Sequence, residues 1–279
     1  MTLSVHAWWQ ILCVAAVFNC VAWSVSAATL THHRSRYSAS EYRYRRWLMW
    51  LSAGYAAGCA FRSFLPRIDL ERICLMQSWL SRMSVGRSVA TIAELCFMAQ
   101  CALLLYITGR GLSNKLTMRV SQWLLPLIVI AECASWYAIL STNYLGHVVE
   151  NSLWTVCATL LLLSFCFLWP HSSRRQRHFL TAMMLFAVSY ILFMVNIDVP
   201  MYWSRWQTQL AAATQYLSLQ QGWLDASSSC VVSFSLSIWR EEIPWMTLYF
   251  TVAVWVSILL PHAPSWRPAL HSELPTQSN

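Results

Sequence analysis

Long apolar runs interrupted by short polar stretches set the pattern of the chain. The runs near residues 7–29, 47–65, 88–108, 120–142, 151–170, 179–197 and 243–261 predict seven membrane-spanning helices. Each approaches the roughly 20 residues that a helix needs to cross a hydrocarbon core of about 30 Å. The intervals between them, such as "THHRSRYSASEYRYRR", "GRGLSNKLT" and "HSSRRQRH", are basic or polar. No internal repeat and no low-complexity linker divides the chain, so residues 1–279 read as one integral, multi-pass, all-α domain ending in a polar cytoplasmic tail at 262–279.

Charge placement orients that bundle. Loops after the first, third and fifth spans, with the tail, carry twelve of the 19 Lys and Arg; loops after the second, fourth and sixth carry six, and Arg62 lies inside span two. Cytoplasmic loops collect the positive excess, which predicts the N-terminus outside and the C-terminus inside. A rival for span one is a signal peptide, since "SVSAA" at 24–28 suits a peptidase, but "MTLSVHAWWQ" lacks the basic residues that should precede it. Within span two, "GYAAG" places Gly54 and Gly58 four apart, a small-residue face for close helix packing.

Composition agrees with the membrane assignment and narrows the classes. Hydrophobic residues make up 57% and charged residues 11%, and the 17 Trp suit interfacial helix ends. The net charge of +8 sits in short loops rather than on a groove or basic stripe, so nucleic acid is not an expected partner. Lys115, the one lysine, lies in a loop, which excludes a retinal Schiff base inside the last helix.

The acids are distributed unevenly. With this topology nine of the 11 carboxylates fall in the outer half, leaving Glu41 and Glu273 inside. Glu94 and Glu132 lie within apolar spans, where a charge costs several kcal/mol and marks a candidate functional site. They are the candidate catalytic acid and base, with Arg62, at a similar depth, as their expected charge partner. Arg87 and Thr91 continue the Glu94 stripe at helical spacing, and Ser135 and Trp136 accompany Glu132. His147 and Glu150, three apart, would share a helical face at the mouth and could hold a proton or a metal, although helix capping by Asn143 and Asn151 explains much of the same composition. Asp198 closes span six. Asp69, Glu71, Asp225, Glu241 and Glu242 read as a solvated rim.

The loop 198–242 carries an approximate helical stripe at Trp206, Leu210, Ala213, Leu217 and Leu219, expected as a lid or a surface for a protein partner. Cys74 and Cys230 both fall outside the spans on the outer side, where an oxidising compartment would join them in a disulfide. No C-x-x-C, G-x-S-x-G, H-E-x-x-H or phosphate-loop motif occurs, so no cofactor and no metal centre is expected. "WREEIPWM" lacks the arginine that paired-glutamate intramembrane proteases carry three residues after the second glutamate.

These residues favour a polar pocket in the outer half of the bilayer that binds, and acts by acid–base chemistry on, an amphipathic lipid or isoprenoid-like ligand. A proton- or cation-coupled transporter using the intramembrane glutamates is the alternative, and a structural or sensory subunit is a third class.

Overall fold

The computed structural model describes residues 4–266, and most of them are helical. Among the described residues six helical stretches are long and apolar enough to cross a membrane: Val5–His32, Met83–Gly111, Lys115–Ser141, Leu145–His171, Arg174–Ala211 and Glu242–His262. The protein therefore has the build of an integral membrane protein.

In chain order, α1 is Val5–His32, α2 Ala39–Phe64, α3 Met83–Gly111, α4 Lys115–Ser141, α5 Leu145–Leu168 and α6 Arg174–Phe193. Helix α2 is as long as the others, but it opens on "SEYRYRR" and carries Arg62 in its last turn, and it is not among the six. Side-chain caps set several starts: Ser4, Ser38 and Asn114 accept from the backbone N–H three residues on.

Span six departs from its expected end at residue 197. The helix passes through a π-turn at Met194–Asp198 and continues as α7, Val199–Ala211. Pro200 accounts for this locally, because it has no N–H to donate and its ring crowds the carbonyl of Asn196, inside the π-turn. The approximate helical stripe expected from Trp206 to Leu219 is interrupted after Ala211, where Ala213 takes a positive φ of 48°. It resumes as α8, Leu219–Ala226, opened by a Ser218–Gln221 capping box. A short turn α9, Leu236–Trp239, precedes α10, Glu242–Leu248; a second π-turn at Tyr249–Ala253 leads into α11, Val254–Leu259.

Neighbouring helices pack in chain order, α1 on α2, α2 on α3, α3 on α4, α4 on α5 and α5 on α6, while the α10–α11 stretch closes against α1 and α2. Gly54 and Gly58 do what their spacing predicts. A Cβ on Gly58 would stand 2.5 Å from the Ala93 Cβ, and one on Gly54 2.7 Å from the Cys96 Sγ, so these glycines let α2 lie against α3. Deeper, the Gln100 amide donates to Leu48 O and Ser257 O, and Ser257 Oγ donates to Gln100 Oε1 at 2.7 Å, a buried lock between α2, α3 and α11.

One end of the bundle carries a small three-stranded sheet: β1 Arg67–Ile68, antiparallel to β2 Ile73–Cys74, which runs parallel to β3 Val231–Val232. Cys74 and Cys230 are joined there by a disulfide with a Cα–Cα distance of 5.9 Å. Arg72, at a positive φ of 57°, binds this end together by donating to Asp225 Oδ2, Asp69 O and Ile139 O. At the opposite end, Arg45 donates to Pro261 O and Ala263 O, drawing the segment after α11 back to α2. Of the expected tail, residues 267–279 lie outside the described residues.

Candidate functional site

At the sheet end, three helices, α3, α4 and α5, bring four charged side chains together. Arg87, in the second turn of α3, is the centre of the group. Its Nη2 lies 2.5 Å from Glu132 Oε2 on α4, 3.2 Å from Glu150 Oε1 on α5 and 3.4 Å from Glu94 Oε2 on its own helix. All four side chains are at least nine-tenths buried. Arg87 and Glu94 stand two turns apart and so share one face of α3.

Arg87 therefore takes the place expected of Arg62. Arg62 instead faces Asp69, Nη2 to Oδ2 at 3.7 Å, and its guanidinium sits over the Trp245 and Phe250 rings. The cause is rotational: depth along α2 sets how far Arg62 lies from the helix end, but not which neighbour it faces, and it is directed toward the last helix. Asp69, expected on a solvated rim, is buried between Arg62 and Arg67, and Glu242 is buried as well.

A second layer holds the cluster. Thr91 Oγ1 donates to Glu132 Oε2 at 2.6 Å and accepts from Trp136 Nε1 at 3.1 Å. Trp136 stacks on Trp223 of α8, and Ser135 is fully buried beside Glu132. His147 Nδ1 donates to Glu150 Oε2 at 2.6 Å, and Asn151 Nδ2 donates to Asp198 Oδ2 at 2.6 Å. Asp198 thus joins the site through α5.

Several functional candidates were not singled out from the sequence. Arg205 pairs with Glu241 at 2.7 Å, Glu242 at 2.8 Å and Glu71 at 3.6 Å, beneath the rings of Tyr144 and Tyr202. Tyr144 donates its hydroxyl to Glu71, and Trp245 Nε1 donates to Glu242 Oε2 at 2.6 Å. Burial, followed by the Glu71 carboxylate, raises the Tyr144 phenol above its ordinary range. Asp198, Tyr202 and Arg205 are spaced four and three apart, a helical face that a helix continued past Pro200 would have revealed.

These groups border a cavity of about 490 Å³. At its polar end stand Arg62, Arg67, Arg87, Glu94, His147, Glu150, Asp198, Tyr202, Arg205 and Glu242. Glu132, Thr91, Ser135 and Trp136 are not on its wall and act from behind Arg87. Away from the sheet the lining turns apolar, with Phe97, Met98, Cys101, Leu104, Phe165, Met183 and Leu260. From Glu94 to Leu104, α3 rises about 15 Å at about 1.5 Å per residue, half of a hydrocarbon core of roughly 30 Å. The wall is shared between α6 and the last helix, and Leu185, Leu248 and Val252 on it are all more than 40% exposed, so the cavity reaches the bundle surface between those two helices. Both π-turns, Met194–Asp198 and Tyr249–Ala253, contribute residues to it. Such turns recur at functional sites.

Oxygens of Glu94, Glu132 and Glu150 lie within 4.8 Å of one another, a spacing that suits a cation. Arg87 Nη2 already lies within 3.4 Å of each of them, so a metal ion would have to displace the guanidinium. The chain matches no protein-family model, no curated protein and no solved structure.

Proposed function

We propose that this is a seven-helix membrane protein, N-terminus outside and C-terminus inside, that binds an amphipathic lipid or isoprenoid-like ligand in the cavity and acts on its headgroup by acid–base chemistry. Helix α2 is the seventh span. The observation that carries this reading is the polarity gradient of one cavity, charged at the sheet end and apolar for the depth of one leaflet. Its reach to the surface between α6 and the last helix gives a chain-bearing ligand a lateral way in from the bilayer.

Within this reading the roles divide by position. Glu94 and the Glu150–His147 pair are on the wall, where a headgroup can exchange a proton with them. Three carboxylates meet one guanidinium and one imidazole, which gives the group a place for an exchangeable proton. Glu132 lies off the wall and holds Arg87 through the shortest contact of the cluster, so it is a positioning residue. A proton or cation pathway through the protein is less well supported, because Met98, Cys101, Leu104, Phe165 and Leu260 line the deep part of the cavity without an ionisable carboxylate, amine or imidazole among them.

Photolabelling tests the binding reading. A single-chain amphiphile with a diazirine near its tail end should label Met98, Leu104, Phe165 or Met183. Labelling confined to exposed residues such as Phe18, Trp50 and Trp123 would contradict it.

A further inference from the structure

The carboxylate cluster leaves one side of the cavity wall unexplained. Arg67 exposes 1% of its surface, yet among the described residues its Nε and Nη2 have no hydrogen-bond partner, and Nη1 alone donates, to Leu80 O at 3.4 Å and Arg82 O at 3.2 Å. Arg62 Nε and Arg87 Nε are likewise buried without a partner. All three residues line the cavity. A buried N–H left unsatisfied forfeits its hydration without recompense, and more so on a charged group, so several on one wall call for an acceptor.

The backbone has been shaped to put Arg67 there. A Cβ on Gly86 would lie 1.4 Å from the Arg67 Cζ, so the guanidinium rests flat against α3 at a position only glycine permits. Burial lowers the Arg67 pKa to about 10, with Arg62 and Arg87 adding to the effect and Asp69 opposing it. Asp69 is the anion now facing the pair, at 3.7 Å from Arg62 Nη2 and 3.6 Å from Arg67 Nε, and its Oδ1 makes no hydrogen bond. The countercharge is present, but the hydrogen bonds are not made.

We propose that Arg62 and Arg67, backed by Arg87, form an oxyanion subsite that takes the phosphate ester of the cavity's ligand, with Asp69 as the internal countercharge that the phosphate replaces. The inference rests on the amphiphile-binding function proposed above and specifies its headgroup. Planar guanidinium forks match phosphate oxygens geometrically and are always charged under ordinary conditions. A lipid phosphate and free inorganic phosphate present the same chemistry, so the test must separate them.

The experiment uses the purified full-length chain and native mass spectrometry with dodecyl phosphate, dodecyl trimethylammonium and dodecyl maltoside as matched-tail probes, and inorganic phosphate as a competitor. Dodecyl phosphate should bind at least about tenfold more tightly than the other two, the effect of one charge-assisted hydrogen bond. Asp69→Asn should tighten it further, and Arg62→Gln should weaken it by about tenfold or more. Arg67→Gln removes a support of the 80–82 backbone, so the Asp69→Asn gain is the safer arm; a merely structural role for Asp69 gives no gain. Competition by inorganic phosphate at concentrations comparable to the alkyl phosphate would assign the subsite to the free ion, whereas no competition assigns it to the lipid. Equal binding of the three probes, or an unchanged affinity in Asp69→Asn and Arg62→Gln, overturns the subsite while leaving the cavity's function standing. Binding of none of the probes overturns both.

Discussion

Arg87 decides the energetics at the scale of single residues. Three buried carboxylates meet at its Nη2, and among the described residues Glu150 alone of the three has a further basic partner, the His147 imidazole. Replacing Arg87 with Met leaves those charges facing one another in a dry interior, which should cost about 3–5 kcal/mol. Thermal unfolding in detergent reads this directly, and a loss below about 1 kcal/mol would show that the cluster is not held by the arginine. Much of this group was legible in the sequence. Arg87, Thr91, Glu94, Glu132, Ser135, His147 and Glu150 stand out because polar side chains interrupt apolar runs at helical spacing. Their pairing was less legible, because sequence gives depth along a helix but not its rotation toward a neighbour. Arg62 was accordingly matched to the wrong acids. Arg67 and Asp69 escaped for a different reason: residues in a connecting loop look solvated until the loop is seen folded into the bundle.

At the scale of elements, the apolar runs fixed the cores of the long helices and missed their ends. Most helices extend several residues beyond the apolar run, since Ser, Asn and Arg at the termini are good helix-end residues even though they are not apolar. The largest miss is α6–α7, where the apolar run ends at 197 but the helix continues past Pro200 through a π-turn. That continuation carries Tyr202 and Arg205 to the cavity. The second π-turn, Tyr249–Ala253, has no evident cause in the sequence. The "GYAAG" run is the opposite case, a local pattern with a direct structural consequence. Gly58→Val should push α2 from α3 against Ala93 and Val89, destabilising the protein by about 1–3 kcal/mol. The same substitution at the exposed end of a helix should change little. A Gly58→Val variant with an unshifted unfolding temperature would mean that the two helices do not pack as closely as described.

At the scale of the whole molecule, the helices, the small sheet and the Cys74–Cys230 bridge serve one arrangement. The bridge ties the 65–82 loop to the segment after α8, the Arg72 side chain ties it to α8 and α4, and together they keep Asp69 and Arg67 over the polar end of the cavity. The last helix and α6 then face each other across the apolar part, with the bundle surface between them. Hydropathy alone established the membrane setting, whereas the cavity depends on which helices are left apart, and that is a property of packing that no single run of residues records. The proposed function requires this cavity to hold an amphipathic molecule by a headgroup at the Arg87 cluster. Native mass spectrometry with lipid identification on the purified protein, comparing wild type with Glu94→Gln and Glu150→Gln, tests it most directly. One defined lipid class should be bound to the wild type, and its occupancy should change by about tenfold in both variants while their unfolding temperatures stay close to wild type. A wild-type protein that carries no lipid, or variants that retain the same lipid at the same occupancy, would contradict it.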